Sequence, residues 1–278
     1  MPNSISDNRA LALEWRNTVV DTRSWRRANN QLGGSPGESE GFYVVTKGFP
    51  RRGYLKPGKL LPDAAQKCRA AREKIAADLA CDLDLPVPPC VLWRRNGIAS
   101  NEGGCVAITL VEFAAEIPWD AVATREATDH PAAELALARV FSECSAMLAF
   151  DTWLDHDEHG DSRPANIVWG YNPDQPSASR ILFLDYATAM GADGTWGAGQ
   201  WRSVQEARFP SILLKTLDMT QLDEALDKIL RLDSVRVESI VHRIPDDFLP
   251  PAQKLVLTQG LLGRRKLLSD VLHRRAKA

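Results

Sequence analysis

The residues best suited to chemistry lie between His159 and Asn166, in the order His159-Gly160-Asp161-Ser162-Arg163-Pro164-Ala165-Asn166. The pattern His-x-Asp-x-x-x-x-Asn is the spacing of a phosphoryl-transfer loop. Its aspartate meets an acceptor hydroxyl and takes the proton, and its asparagine, five residues on, holds a metal ion. A second acid, Asp185, closes the apolar run that starts at Arg180. A nucleoside triphosphate brings several negative charges, so Mg²⁺ must stand between phosphate and protein. A strand hairpin can offer Asn166 and Asp185 to that ion together.

The flanking segments have the periodicities needed to position these groups. Pro131 to Leu154 carries Leu137, Val140, Phe141, Cys144, Met147, Leu148 and Phe150 at helical spacing, which predicts a core helix leading into the loop. Ile167-Val168-Trp169 predicts a strand leaving it, and Arg180 to Leu184 a second strand ending on Asp185. The loop from Asp155 to Asp161 is also dense in acids, and His156 and His159 with Asp155, Asp157 or Asp161 would suit Zn or Mn in a metallohydrolase. That reading leaves Asn166 and Asp185 without a role. A plainly solvated acidic loop leaves the flanking strands without one.

Upstream, Phe42 to Thr46 reads as a strand, and Tyr54-Leu55-Lys56 as a second strand after a turn through Lys47 to Gly53. The segment Gly33 to Gly41 precedes them. Its Gly33, Gly34 and Ser35 could bring backbone N–H groups over nucleotide phosphates, although the same composition suits a surface turn. Asp63 to Leu83 has Ala64, Cys68, Ala71, Ile75, Leu79 and Leu83 at three-to-four-residue spacing and stops before Pro86, predicting an amphipathic helix that contains Glu73. Lys56 and Glu73 stand in the order of a phosphate-gripping lysine braced by a helix glutamate. Lys47 competes for the first role, and an exposed pairing with Arg69 or Lys74 competes for the second. Cys90 to Trp93 and Val106 to Val111 read as further strands. Glu112 and Phe113, leading to Ala115, then form a connector whose backbone would meet an adenine ring.

A chain of 278 residues, 44% hydrophobic and 25% charged, fits two packed lobes or one large domain. A net charge of -2 carries no global nucleic-acid or membrane signature. The five cysteines, Cys68, Cys81, Cys90, Cys105 and Cys144, include no Cys-x-x-Cys pair and are expected to be reduced. With a polar start and no apolar run of membrane-spanning length, the expected location is the cytoplasm, where ATP is plentiful. From Gly191 onward the chain reads as a glycine-rich loop with Trp196 and Trp201, then helices. Thr220 with Asp223 is expected to cap one, Pro250 to start another, and Arg264, Arg265 and Lys266 to face solvent.

Together these motifs resemble the kinase-like phosphotransferase superfamily, and within it the HipA-like kinases. The resemblance rests on Ala71-Arg72-Glu73 leading to Leu85-Pro86-Val87-Pro88-Pro89, on Phe150 to Leu154, on Asp161 to Asn166, on Leu184-Asp185 and on Ile244 to Leu249. It implies an α+β, two-lobed kinase fold: a small β-rich N-lobe over residues 1–115 and a mostly helical C-lobe over 116–278. It also implies ATP and Mg²⁺ as cofactors, with Asp161, Lys56 and Glu73 catalytic and Asn166 and Asp185 on the metal. Lys56, Gly33, Gly34, Ser35, Glu112 and Phe113 would contact the nucleotide, and the acceptor would be a serine or threonine hydroxyl of a protein. His159-Gly160-Asp161 with Asn166 is equally similar to aminoglycoside and choline phosphotransferases, which act on small molecules. A pseudokinase serving as a binding module is a third reading. Asp185 is followed by Tyr186-Ala187 rather than Phe-Gly, and no Ala-Pro-Glu follows.

HipA-like kinases are switched off by phosphorylation of a serine in their glycine-rich loop, and the resemblance places Ser35 and Ser39 there. A phosphoserine adds close to two negative charges, which ATP phosphates would repel. Purified protein with Mg-ATP is therefore expected to gain phosphate within residues 33–41, most of it lost in Ser35→Ala. Mass spectrometry of that peptide checks the expectation, and an unmodified peptide would refute it.

Overall fold

Alternation of side chains across a pleated strand sets the geometry on which the site depends. The computed structural model describes residues 13–21, 25–27, 42–46, 52–57, 68–93, 104–108, 115–118, 131–171, 180–191, 201 and 203–275. Within it, β1 (Val20–Asp21), β2 (Trp25–Arg27), β3 (Phe42–Thr46), β4 (Arg52–Pro57), β5 (Cys90–Trp93) and β6 (Gly104–Ile108) form one sheet in the order β1-β5-β6-β4-β3-β2. Only the β1–β5 pair in it is parallel. On β4, Leu55 is buried against Trp15, Val44 and Val91. Lys56, one residue on and paired with Cys105, therefore projects from the opposite face.

A second sheet joins β7 (Ala115–Pro118), β8 (Ile167–Tyr171) and β9 (Arg180–Phe183), antiparallel throughout. Helices α1 (Arg69–Leu83), α2 (Pro131–Leu154), α3 (Ser211–Lys215), α4 (Met219–Arg231), α5 (Ser234–His242), α6 (Pro251–Arg265) and α7 (Leu268–Arg275) accompany the sheets. The fold is thus mixed α and β and mostly helical. Helix α2 is the hub of the helical part, packing on α3, α4, α6 and α7. No helix among the described residues is long and apolar enough to cross a membrane, and Cys68, Cys81, Cys90 and Cys144 are free thiols.

Two expectations are corrected here. Helix α1 is not amphipathic: all but Arg69, Cys81 and Asp82 are buried, including Arg72, Glu73, Lys74 and Asp78. The helix lies between the first sheet, α5 and the turn after β9, so its polar side meets protein rather than water. Each buried charge has partners there. Lys74 Nζ donates to the carbonyls of Trp15 (2.8 Å) and Cys90 (2.9 Å) and to Asp78 Oδ1 (2.9 Å). Asp78 also pairs with Arg243, and Arg72 Nη1 donates to the Ala187 carbonyl at 3.0 Å. Burial lowers the Lys74 pKa against the pull of Asp78.

The second correction is the cap of α4, which is Asp218 rather than Thr220. Its Oδ1 accepts the N–H groups of Thr220 (2.9 Å) and Gln221 (3.3 Å), because the helix begins at Met219.

A buried charge stripped of its partner costs about 3–5 kcal/mol, whereas an exposed helix pair contributes at most about 0.5 kcal/mol. Lys74→Met is therefore expected to lower unfolding free energy by about 3 kcal/mol or more. Arg231→Ala, which breaks the exposed pair with Asp227, should change it by less than about 0.5 kcal/mol. Chemical denaturation of the two variants measures the difference, and similar losses would show that the buried network is not what holds α1.

Candidate active site

The centre of the site is an ammonium group between two carboxylates. Lys56 Nζ donates to Glu73 Oε1 and, at 2.6 Å, to Asp185 Oδ1. Glu73 is held from its other side, where Oε2 accepts the Tyr186 N–H at 3.1 Å. Three distant segments thus meet: β4 brings Lys56, α1 brings Glu73, and the residue after Leu184 brings Asp185 in a left-handed backbone conformation (φ 66°, ψ 59°). A non-glycine residue holds that conformation at a cost, so the surrounding hydrogen bonds must over-determine it. Burial raises the Glu73 pKa, with the Lys56 ammonium opposing. Burial also pushes Asp185 upward, but Lys56 and the hydrogen bonds to it hold the Asp185 carboxyl below its ordinary value.

Beneath this centre lies a buried histidine. His159 Nδ1 is 2.7 Å from Asp151 Oδ2, and Nε2 is 2.8 Å from the Leu184 carbonyl oxygen. The Leu184 carbonyl can only accept, so Nε2 donates to it, and a proton on Nδ1 as well makes the ring an imidazolium facing the Asp151 carboxylate. Burial disfavours that charge, yet Asp151 and the Leu184 carbonyl raise the His159 pKa overall. The Tyr186 hydroxyl adds a donor to Asp151 Oδ1 at 2.9 Å. Both imidazole nitrogens being engaged, His159 cannot serve as the ligand a metallohydrolase would need. No group of three or more His, Cys, Asp or Glu among the described residues is arranged to hold a metal ion.

Asn166 and Asp185 offer a different donor set. Leu184 N donates to the Asn166 carbonyl at 2.8 Å, which ties the residue before Asp185 to the end of the loop. Asn166 Nδ2 donates to the Glu158 carbonyl at 3.1 Å, and this fixes the amide so that Oδ1 is the ligating atom left over. One amide oxygen and one carboxylate fit Mg²⁺, which binds through one or two protein oxygens plus phosphate and water.

Asp161 is exposed, and its Oδ1 accepts the Ser211 N–H at 3.0 Å. Its second oxygen makes no hydrogen bond among the described residues. Ser211 follows an irregular strap, residues 203–210, whose Ala207 N donates to Thr152 Oγ1 (3.1 Å) and Arg208 N to Asp157 Oδ1 (3.2 Å). Gly160 allows this approach, since a β-carbon there would stand 3.2 Å from Arg208 Cβ. Phe209 stacks on Phe183 of β9 with ring centroids 5.8 Å apart.

Of the residues singled out by sequence, the structure brings Lys56, Glu73 and Asp185 into contact and places Asp161 and Asn166 at either end of one short turn. Gly33, Gly34, Ser35, Lys47, Glu112 and Phe113 lie outside the described residues. Sequence reading missed the roles of Asp151 and Tyr186, although an aspartate inside the most apolar helix was a usable signal. Arg264 is a further correction: expected in solvent, it is buried against the end of α2.

No protein-family model matches the chain, and no curated protein matches it. Among solved structures the chain aligns with WaaP in complex with acyl carrier protein, at 16% identity over 87% of this chain and 88% of that one, with a TM-score of 0.36.

A histidine whose pKa is raised by the fold contributes stability that is complete below its ordinary value near 6.5. That stability falls away as pH climbs through the raised value. His159→Gln should therefore melt well below the wild type at pH 5–6, with the gap narrowing as pH rises above about 6.5. Thermal melts across that range check the sign, and a gap that widens with pH would mean that the ring is neutral in the fold.

Proposed function

We propose that this chain is an ATP- and Mg²⁺-dependent phosphotransferase of the two-lobed kinase type, HipA-like, that phosphorylates a hydroxyl of a protein. The observation that carries the reading is the Lys56 ammonium held between Glu73 and Asp185. A lysine so braced is pre-positioned for the α- and β-phosphates of a nucleotide. Residues 1–115 would form the smaller lobe and 116–278 the larger, with the nucleotide between them.

In this mechanism Lys56 stays on Glu73 and exchanges its contact with Asp185 for phosphate oxygens. Asn166 Oδ1 and the freed Asp185 carboxylate would hold Mg²⁺, which neutralises charge on the phosphates. Asp161 receives the acceptor O–H on its unbonded oxygen while Ser211 N–H fixes the other. The acceptor oxygen attacks the γ-phosphorus, the bond to the ADP oxygen breaks, and the acceptor proton passes to Asp161. His159 joins the two sides of the site, because its Nε2–H holds the Leu184 carbonyl beside Asp185.

A second acceptor class has its own support. Asp157 and Glu158 are half-buried acids of the same loop as Asp161, a composition that would favour a cationic amino alcohol over a neutral hydroxyl. Labelled ATP offered with lysate protein, and separately with an aminoglycoside, distinguishes the two. Absence of label in both arms would leave the pseudokinase reading.

Asp161→Asn is expected to lower transfer by about 10²- to 10⁴-fold with Mg-ATP affinity nearly unchanged. Asp185→Asn should lose transfer and weaken Mg-dependent nucleotide binding as well. Lys56→Met should cut turnover by about two orders of magnitude or more, and Glu73→Gln should do the same more mildly. Full activity in Asp161→Asn would end the proposal.

A further inference from the structure

Helix α6 reaches the root of the transfer loop through one buried side chain. Arg264, 4% exposed, donates from Nε to the Trp153 carbonyl (3.0 Å) and from Nη2 to the Thr152 carbonyl (2.8 Å). These belong to the last turn of α2, whose carbonyls have no partner within the helix. Nη2 also stands 3.5 Å from Asp155 Oδ1, where the backbone turns left-handed (φ 56°) to leave the helix. The contact is reciprocal, since Trp153 Nε1 donates to the Leu261 carbonyl at 2.9 Å.

The same guanidinium fastens the strap that meets Asp161. Trp201 lies against Arg264, its ring centroid 5.6 Å from Cζ, and rests on Gly260 of α6. A β-carbon at Gly260 would fall 1.9 Å from the indole, so the seat exists only for glycine. Thr152 links the two halves: its carbonyl accepts Arg264 and its hydroxyl accepts the strap's Ala207 N–H. From there the strap runs through Arg208, bonded to Asp157, to Ser211, bonded to Asp161.

We infer that Arg264, with Trp201 seated on Gly260, is a positioning latch that sets the orientation of Asp161 by fixing both the start of its loop and the strap bonded to its carboxylate. This rests on the phosphotransferase reading for its consequence, though not for its geometry. A planar guanidinium can serve two successive carbonyls, a carboxylate and an indole face at once, and a lysine cannot. None of the contacts above involves Lys56 or Glu73, so the effect of the latch should fall on transfer rather than on nucleotide binding.

Hydrogen exchange and kinetics on the full chain test it with three variants. In Arg264→Met the amides of Ala207, Arg208 and Ser211 should exchange about tenfold faster or more, while those inside α4 keep their wild-type rates. Turnover should fall about tenfold or more with the affinity for Mg-ATP within about twofold. Arg264→Lys should restore only part of both losses. Gly260→Ala, which displaces Trp201 and leaves the Arg264 charge, should free the same three amides; it and Arg264→Lys carry the test if Arg264→Met does not fold. Strap amides at wild-type rates, a uniform rise across the protein, or turnover falling in step with nucleotide affinity would each overturn the latch. A wild type with no turnover would remove the phosphotransferase reading, while the exchange rates still decide whether the latch exists.

Discussion

One positive charge between two negative ones is the constraint to which the rest of this structure answers. Lys56 has left bulk water, and a partly buried ammonium persists only when acceptors replace its hydration. Glu73 and Asp185 supply them from segments 17 and 129 residues away. The trio carries one negative charge in excess, and each carboxylate is anchored independently. Glu73 is held by the Tyr186 N–H. Asp185 is held through its neighbour Leu184, whose N–H and carbonyl are taken by Asn166 and His159. Removing water from such a cluster strengthens its internal attraction, so its geometry is stiff where phosphate and metal would have to fit.

Helix α1 shows what that stiffness requires. Four charged residues on it are buried, and their partners come from the N-terminal segment, β4, β5, the residue that follows α5 and the turn after β9. Outside this buried set, Asp82 on the same helix pairs with Arg16 (2.5 Å) and Arg236 (2.8 Å). Turning the helix by one residue would orphan several of these groups at once. The cost of an unpaired buried charge is several kcal/mol, so Glu73 has essentially one register in which the helix is satisfied.

Much of the arrangement was legible because its signals are local. Phe42–Thr46, Cys90–Trp93 and Pro131–Leu154 have the bounds that their residue patterns predict. Asp161 and Asn166 share one turn, and their spacing survives whatever the tertiary structure does. The burial of α1 was not legible, since the spacing of Ala71, Ile75 and Leu79 reports one apolar face and cannot announce partners such as Arg243 or the Trp15 carbonyl. Arg264 failed for the same reason. Beside Arg265 and Lys266 it reads as a solvated end, and only its bonds to the Trp153 and Thr152 carbonyls of α2, more than a hundred residues earlier, show why it turns inward. The cap of α4 was misread by two residues because the helix starts before its apolar period becomes visible.

The Arg264 contacts also bear on when the site comes into being. They span 111 and 112 residues, and the contact between Lys56 and Asp185 spans 129. Loops of that length close late, after local helices and hairpins have formed. On a ribosome that emits the chain from its N-terminus, α2 and the loop after it emerge well before α6 exists. A nascent chain that has reached residue 200 therefore carries Lys56, Asp161 and Asp185 without the strap or the arginine that fix their frame. The contacts that fix that frame are complete only after translation has passed Arg264.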